Sequence, residues 1–431
     1  MIKIKIFTGL TKVGDVQMGE AQDYLHIARI LQAAGFDVEL ITAEKLKSNE
    51  LKSQQYKETV IPKIIAASDI IIAGSYAPTN AILQAHKQAK VIILKLYEPS
   101  PVASLEFSDF KHMADRAVIQ QYCTDALKLH LAVADMILYP SENAKYFYLG
   151  LLAGVGRLNH WQYAADRNYD HFLLPFSHGI TIDSPRRKQE YYQKKYHNIQ
   201  AGDNLVLWNG GIWNWYDPLT LIRAIVYAVR KNPSIKLIFQ GYKHPDWPAT
   251  PVGGQAISLS KKTGLFNKNI FFDDCWIPVR ERSAYLSSVD LAVIFSQNIL
   301  DSHFGARNRI FDHLWAGTPI IITANDSFAT EIKDNGLGCV VKPQDHIGAG
   351  KTILSLFADK QILTAIGENI KRYRHNLTYG QSLKPLLAFC LRGQKAADWK
   401  KIPDRLLKIL LKDFRFSEAK LFKLRNKHGK N

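Results

Sequence analysis

Apolar strand-like runs alternate with helix-like stretches along most of the chain, and this alternation restricts the fold more than any other feature of the sequence. In the first half we predict strands at 2–7, 38–41, 69–73, 91–94, 136–139 and 172–176. In the second half we predict strands near 205–208, 236–240, 269–272, 290–295, 319–323 and 338–341. Strands that alternate with helices form parallel sheets covered by helices. We therefore predict an α/β fold with two Rossmann-like domains.

The predicted domain boundaries depend on one stretch between the two halves that has no apolar pattern. Residues 183–204 are polar and charged, and we interpret them as a linker. This gives an N-terminal domain over 1–182, a C-terminal domain over 205–385 and a basic helical tail over 386–431. Ligands of open parallel sheets bind beside the carboxyl ends of the strands, so we expect both domains to face a central cleft.

Residues 205–241 read as a strand, a glycine turn, a helix and a second strand. Gly210 and Gly211 supply the turn, where a ligand can approach the backbone because no side chain is in the way. Asp217 and Pro218 are typical of a helix start. Free N–H groups at a helix N-terminus attract anions, so this turn is a candidate phosphate site. A plain connection between strand and helix is the alternative interpretation.

The net charge of +17 over 431 residues calls for a negatively charged partner. Eleven Lys and Arg residues and four Asp and Glu residues lie between 397 and 431, so much of the excess belongs to the tail. Nucleic acid, an anionic membrane face and a negatively charged substrate are the partners that such a charge favours.

Other features of the composition narrow the class of protein. A hydrophobic fraction of 47% and a charged fraction of 22% are ordinary for a folded soluble protein. No apolar run approaches the ~18 residues of a membrane-spanning helix, and the first residues resemble a strand more than a signal peptide. The four cysteines have neither metal nor disulfide spacing, which favours a cytoplasmic, reducing compartment.

Two segments of the second half carry a family resemblance, 209-NGGIWNWYDPLTLIRA-224 and 301-DSHFGARNRIFDHLWAGTPI-320. Further matches are 96-LYEP-99, 141-SENAKYFYLGLLAGVGRLN-159 and 279-VRERSAYLSSVDLAV-293. With these segments the chain resembles the GT-B-fold glycosyltransferases of family 4, the "group 1" nucleotide-sugar transferases. The resemblance is to a subgroup with a GGGIWNWFDPLTLIRA-type segment, and it covers roughly residues 1 to 385.

The resemblance implies a reaction and a division of labour between the domains. It implies a metal-independent transferase that retains the anomeric configuration, with the donor bound by the C-terminal domain and the acceptor by the N-terminal domain. The donor would be a nucleotide sugar, with no further cofactor. The acceptor would be a glycan or a lipid-linked molecule in surface polysaccharide or glycoconjugate assembly. In agreement, the sequence has no Asp-x-Asp pair at a strand end.

The chain departs from the family pattern at the donor site. Many members carry Glu-x7-Glu before the Gly-x-Pro turn, whereas Asp312 matches only the second acid and Asp301 lies eleven residues earlier. Many members also have an arginine directly after the glycine turn, and here none follows Gly211 before Arg223. A non-catalytic protein that binds membrane or nucleic acid with a degenerate cleft is therefore one alternative. A nucleotide-sugar epimerase on the same fold is another.

The candidate site residues follow from these motifs. As catalytic residues we predict Arg307, Arg309 and Asp301, because guanidinium groups bind diphosphate oxygens in two places at once. The predicted donor-binding residues are Gly210, Gly211, Asp217, Lys243 and Asp312, and the predicted acceptor-side residues are Gly19, Glu20 and Glu98. Each has a plainer interpretation: a salt bridge for Arg307, a helix N-cap for Asp217, and a loop carboxylate for Glu98. Trp213 and Trp215 are either a sugar platform or core.

The tail 402–425 reads as a basic amphipathic helix. Its predicted apolar face comprises Leu406, Leu407, Leu410, Leu411 and Phe414. Such a helix lies on an anionic membrane surface or docks on a protein core, and both interpretations stay open. We expect a cytoplasmic protein, peripheral on the inner face of the cell membrane if the first applies, and we expect no nucleic-acid partner.

Overall fold

The computed structural model describes residues 1–9, 11, 13, 19–44, 46, 50–107, 112–183, 185, 190–243, 250–278 and 281–427. The chain divides into two compact units. Unit 1 comprises Met1–His178, Phe304–Ala306 and Tyr379–Asn431, and unit 2 comprises Gly179–His303 and Arg307–Thr378.

Among the described residues, each unit contains one parallel sheet. The strands are β1 Lys3–Phe7, β2 Asp37–Thr42, β3 Lys52–Gln55, β4 Ile70–Gly74, β5 Val91–Lys95, β6 Met136–Tyr139, β7 Leu173–Pro175, β8 Asn204–Asn209, β9 Ile235–Gln240, β10 Ile270–Asp273, β11 Leu291–Ile294, β12 Ile320–Thr323 and β13 Gly338–Val341. In unit 1 the strand order is β3-β2-β1-β4-β5-β6-β7, and in unit 2 it is β10-β9-β8-β11-β12-β13. The predicted α/β class with two parallel sheets is confirmed.

Helices connect the strands. They are α1 Gly19–Ala33, α2 Ile61–Ala66, α3 Thr79–Lys87, α4 Ser100–Phe107, α5 Met113–Val133, α6 Glu142–Gly154, α7 His160–Ala165, α8 Tyr191–Lys195, α9 Pro218–Val229, α10 Pro251–Lys262, α11 Arg282–Leu286, α12 Leu300–Phe304, α13 Asn308–Ala316, α14 Ala329–Asp334, α15 His346–Ala358, α16 Lys360–Tyr373, α17 Tyr379–Ser382, α18 Lys384–Arg392 and α19 Asp404–Lys427. Several begin at a side-chain cap, as where Ser141 accepts a hydrogen bond from Ala144 N.

Helices pack on both faces of the sheet in unit 1, because neighbouring residues of each strand point to opposite sides. Ile4 and Ile6 of β1 lie in one buried cluster, and Phe7 lies in the other. Ile70 and Ile71 of β4 divide in the same way. The near-continuous apolar runs that predicted these strands are therefore explained by burial on both faces.

The C-terminal segment packs on unit 1, which differs from the predicted boundaries of 205–385 and 386–431. Leu383, Leu386 and Phe389 are buried in the same cluster as Ile4 and Ile6. The apolar face predicted for the tail helix covers α5: Leu410 and Phe414 of α19 are buried, with Leu406, Leu407 and Leu411 partly buried beside them. The core-docking interpretation of this helix is the one that the structure shows.

The predicted linker 183–204 also differs from what the structure shows. Of this stretch, residues 184 and 186–189 lie outside the described part. In the remainder, Tyr192 of α8 and Ile199 are buried in the core of unit 2 against Leu205 and Leu207. Two apolar side chains spaced seven residues apart give too weak a pattern to be read as core. Among the described residues, no helix is long and apolar enough to cross a membrane.

Candidate functional site

The glycine turn of unit 2 follows β8, at the place where the strand order reverses between β8 and β11. Such a reversal leaves a crevice at the carboxyl ends of the strands. Gly210 has a φ of +90°, a conformation that residues with a side chain rarely adopt. Its backbone N–H donates to Gln240 O at the end of β9, at 2.8 Å. The turn is thereby held beside the end of the neighbouring strand.

Arg309 lies against this turn. Its Nη2 donates to Gly211 O at 2.8 Å, and its Cζ lies 4.1 Å from the centre of the Tyr216 ring. The guanidinium group comes from α13, ninety-eight residues further along the chain. The structure thus brings the predicted catalytic residue Arg309 to the predicted donor-binding residues Gly210 and Gly211.

Asp312 of α13 belongs to a polar network beside the same turn. Its carboxylate accepts a hydrogen bond from Asn209 Nδ2 at 2.9 Å and forms an ion pair with Arg282 at 3.2 Å. Tyr285 OH donates to Asn209 Oδ1 at 2.8 Å. Burial raises the pKa of Tyr285 well above its ordinary value, so the hydroxyl keeps its proton and remains a donor. Asp312 therefore stands at the turn as a positioned carboxylate.

Arg307 and Asp301, the other predicted catalytic residues, are each other's partners. Arg307 Nη2 lies 2.8 Å from Asp301 Oδ2, its Nε lies 3.5 Å from Asp326 Oδ2, and all three side chains are buried. Burial alone would lower the pKa of Arg307, but interactions with Tyr216 and with the carboxylates of Asp301 and Asp326 outweigh this effect and raise it. The salt-bridge interpretation of this pair matches the structure, and direct contact with a donor stays a prediction.

The remaining donor-side residues have local roles in the structure. Asp217 is the N-cap of α9 and accepts a hydrogen bond from Thr220 N at 2.9 Å, which is its plainer interpretation. Lys243 is exposed, and its backbone oxygen accepts a hydrogen bond from Trp276 Nε1. Trp213 and Trp215 stack on each other, with ring centres 5.6 Å apart, and Trp215 is buried.

In unit 1 a buried charged cluster lies where β5 ends. Lys95 is buried and forms ion pairs with Asp23 at 3.0 Å and with Glu20 at 3.7 Å. Glu20, in the first turn of α1, also accepts hydrogen bonds from Thr11 and Tyr24, both at 2.9 Å. Burial alone would raise the pKa of Asp23, but Lys95 and then His178 lower it to about 2. The carboxylate of Asp23 is therefore ionised at neutral pH.

Glu98 and Gly19 lie in the same unit. Glu98 is buried just beyond β5 and accepts a hydrogen bond from Tyr76 OH at 3.2 Å. Gly19 and Glu20 begin α1, the helix that comes after β1, and Glu98 comes just after β5. Both strands end at the same edge of the parallel sheet. Residues 10, 12 and 14–18, which precede Gly19 in the chain, lie outside the described part. The acceptor-side roles stay predictions.

One group of the described residues could hold a metal ion: Asp273, Asp274 and Cys275, at the carboxyl end of β10. Their ligand atoms lie within 4.8 Å of one another. Asp273 is already paired with Lys195 Nζ. Three adjacent residues, one of them neutralised by a lysine, make a weak metal site.

Sequence reasoning missed the partners of the predicted residues. Arg282 and Tyr285 of α11 bind the network of Asp312, and Asp326 after β12 binds Arg307. In unit 1 it missed Lys95 and Asp23. Lys95 carries a readable signal, since a lysine that ends an apolar parallel strand is exceptional at a buried position.

The units match solved structures along nearly the whole chain. HepE of Anabaena in complex with UDP-glucose matches with a TM-score of 0.63 at 10% identity, over 91% of this chain and 100% of that one. Sucrose-phosphate synthase of Thermosynechococcus elongatus matches with 0.62 at 13% identity, over 91% and 98%. WaaG, a glycosyltransferase involved in lipopolysaccharide biosynthesis, matches with 0.57 at 14% identity, over 92% and 99%.

The sequence itself matches neither a protein-family model nor a curated protein. Identities of 10–14% are informative about fold alone, and the predicted subgroup of family 4 stays a prediction. The two parallel-sheet units, with seven and six strands, match glycosyltransferase structures of the GT-B fold. The chain has the GT-B fold, and this predicted fold class is confirmed.

Proposed function

We propose that the protein is a retaining glycosyltransferase that moves a sugar from a nucleotide-sugar donor to a glycan or a lipid-linked acceptor. The observation that carries the proposal is the match over 91% of the chain to a protein whose structure contains UDP-glucose. The position of the Gly210 turn supports it, because a turn at the carboxyl end of β8, beside the strand-order reversal, is where a parallel sheet binds a nucleotide.

Unit 2 is proposed to bind the donor at this turn. Gly210 and Gly211 let the diphosphate approach the backbone, and Arg309 supplies charge to it from α13. Asp312, held by Asn209 and Arg282, accepts hydrogen bonds from hydroxyl groups of the donor. In this proposal Arg307 and Asp301 act as a buried pair that positions the start of α13, in addition to their predicted contact with the donor.

The chemistry requires little covalent participation by the protein. Transfer needs stabilisation of the diphosphate leaving group and of an oxocarbenium-like sugar. Arg309 stabilises the diphosphate leaving group, and the carboxylate of Asp312 holds the donor in place while the oxocarbenium-like sugar forms. The leaving diphosphate takes the proton of the acceptor hydroxyl, so we assign no protein group as general base. Neither a metal nor a cofactor other than the donor is proposed.

Unit 1 is proposed to bind the acceptor, with Gly19, Glu20 and Glu98 near the ends of its strands. We further propose that the protein works in the cytoplasm, peripheral on the inner face of the cell membrane. A lipid-linked acceptor in surface polysaccharide or glycoconjugate assembly would be available there.

Turnover of a panel of nucleotide sugars by the purified chain tests the proposal. The released nucleoside diphosphate is measured with and without candidate acceptors, and the anomer of the product is assigned by NMR. We expect one donor class to be turned over, with retention and in the presence of a chelator. Inversion of configuration would refute the retaining mechanism. Conversion of the donor to its epimer without an acceptor would favour the epimerase alternative.

A further inference from the structure

Aromatic and basic side chains lie side by side on the surface of unit 1. Trp161 and Tyr163 of α7 are 54% and 51% exposed. Lys401 Nζ lies 5.8 Å from the centre of the Trp161 ring, and Lys400 Nζ lies 5.1 Å from the centre of the Trp399 ring. We call these five residues the α7 corner. Indole and phenol rings with an ammonium group beside them suit an interface between an apolar and an aqueous phase.

Buried contacts hold this corner in place. Asp398, next to Trp399, forms an ion pair with Arg157 at 2.9 Å, and both side chains are buried. The neighbouring Ala397 N donates to Gln162 Oε1 at 3.1 Å, and Gln162 lies between Trp161 and Tyr163. The loop that carries Trp399, Lys400 and Lys401 is therefore fixed beside α7.

The adjoining helix α19 presents a second set of such residues. Its apolar stripe, which includes Leu410 and Phe414, is covered by α5 and is not available to a partner. The opposite face carries Arg405, Lys408, Lys412, Lys423, Ile409 and Phe416, and we call these six residues the outer face of α19. Ile409 and Phe416 are 47% and 63% exposed, and their spacing of seven residues puts them on one side.

The charge of this region is strongly positive. Between Lys400 and Arg425 nine Lys and Arg side chains are exposed, against three exposed carboxylates, Asp404, Asp413 and Glu418. Lys420 Nζ lies 4.2 Å from the centre of the Phe416 ring, so cations and exposed apolar groups alternate on the surface. Scattered single apolar residues are normal on a protein surface, but large ones grouped with this charge are typical of a binding site.

We propose that the α7 corner and the outer face of α19 dock on an anionic phospholipid bilayer. The lysines and arginines would lie at the phosphate groups, with Trp161, Ile409 and Phe416 inserted at the level of the headgroups. Exposed aliphatic groups favour lipid over nucleic acid, because a nucleic-acid phosphate backbone offers them no apolar phase. The inference rests on the proposed location at a membrane face and not on the transfer reaction. The proposed membrane surface differs from the apolar face predicted for the tail helix, because that face is buried against the core of unit 1.

Flotation of the full chain with vesicles tests the surface. Wild-type protein is mixed with vesicles of phosphatidylcholine, with or without phosphatidylglycerol, at physiological salt. The charge variant combines Lys408→Gln, Lys412→Gln and Lys423→Gln. Its matched control combines Lys262→Gln, Lys333→Gln and Lys360→Gln, which are exposed lysines of unit 2. A third variant combines Trp161→Ser with Phe416→Ser, and circular dichroism confirms that all of them fold.

We expect the wild type to float with the anionic vesicles and only weakly with the neutral ones. The charge variant should bind about a hundredfold more weakly, at about fivefold for each lysine, while the control stays within about twofold. The Trp161 and Phe416 variant should lose about tenfold. The proposal is overturned if the wild type does not bind anionic vesicles, or if both triple variants lose affinity for them equally. It is also overturned if the protein binds nucleic acid through this surface instead. Donor turnover measured on the same proteins without vesicles separates the two proposals, because it should be equal in all of them.

Discussion

Arg157 and Asp398 form a buried ion pair with two hydrogen bonds of 2.9 Å, between residues that lie 241 positions apart. The remaining guanidinium protons go to the backbone oxygens of Leu131, Ala132 and Ala134. Every polar group of the arginine side chain is thereby satisfied without water. The pair fastens the segment before α19 to the core of unit 1, so the C-terminal region is an integral part of that unit.

Arg157→Met should destabilise unit 1. The substitution removes the positive charge and two hydrogen bonds from the buried Asp398 carboxylate, which keeps the hydrogen bond from Asn159 Nδ2, and it removes the arginine donors from three backbone oxygens. Breaking a buried pair in this way costs about 3–5 kcal/mol. Urea unfolding, followed by tryptophan fluorescence, measures the loss. Arg167→Met, at an exposed position of the same unit, is the control and should change the unfolding free energy by less than about 0.5 kcal/mol. Equal midpoints for the two variants would contradict this role.

Asp23→Asn should remove a pH-dependent part of the stability. The pKa of Asp23 in the folded protein is about 2, below its ordinary value of 3.8. The carboxylate therefore adds stability that is fully present above pH ~4 and is lost as the pH falls towards 2, by about 2 kcal/mol. Unfolding titrations at a series of pH values should show a difference between wild type and variant that shrinks over this range. The exposed Asp334→Asn should show no such trend, and a constant difference for Asp23→Asn would count against the ion pair with Lys95.

Asp312→Asn should weaken the binding and turnover of the donor rather than the stability of the fold. The amide keeps the shape of the side chain but loses the negative charge. Through this charge Asp312 accepts the hydrogen bond from Asn209 and forms the ion pair with Arg282. A charged hydrogen bond of this kind contributes about 1.5–3 kcal/mol, so we expect donor turnover to fall about 10- to 100-fold. Turnover is compared with that of Asp334→Asn, whose side chain is exposed. If Asp312→Asn retains full turnover, the assignment of this carboxylate to the donor is wrong.

Gly210→Ala should affect both stability and donor binding. At a φ of +90° a Cβ atom costs about 1–2 kcal/mol, and Arg309 Nη2 lies 3.5 Å from the place that this atom would occupy. Nucleotide affinity should fall because the turn relaxes out of this conformation, whereas the contact with Arg309 is of ordinary van der Waals length. Gly150→Ala in α6 is the control, since nothing lies near its Cβ position and alanine favours a helix. Unfolding and nucleotide titrations of both variants decide whether the conformation of Gly210 matters.

The sequence predicted the fold well because most strands of both sheets are buried on two faces. Apolar runs such as 70–73 and 91–94 leave little choice of secondary structure. The edge strand β3, Lys52–Gln55, was missed because its residues are polar. The packing of α8 and α18 was also missed, since the apolar residues of these helices find partners far away in the chain, which a local pattern does not reveal.

The candidate site was predictable in part. The glycine turn and Asp312 come from contiguous motifs, and the structure brings Asp312 to the turn through Asn209. The partners that orient them, Arg282 and Tyr285, come from a helix with no motif of its own. Whether Arg307 faces a ligand or a carboxylate depends on three-dimensional distances, because Asp301 and Asp326 lie on both sides of it in the sequence.

A thermal-shift panel of nucleoside diphosphates and nucleotide sugars tests the central claim most directly. A ligand that binds only the folded protein at about 100 times its Kd raises the stability by about 2.7 kcal/mol, which is easily seen as a shift in Tm. We predict a clear shift with one nucleotide class for the wild type and a reduced shift for Asp312→Asn. No shift with any nucleotide, or an equal shift for the variant, would contradict a donor site at the Gly210 turn.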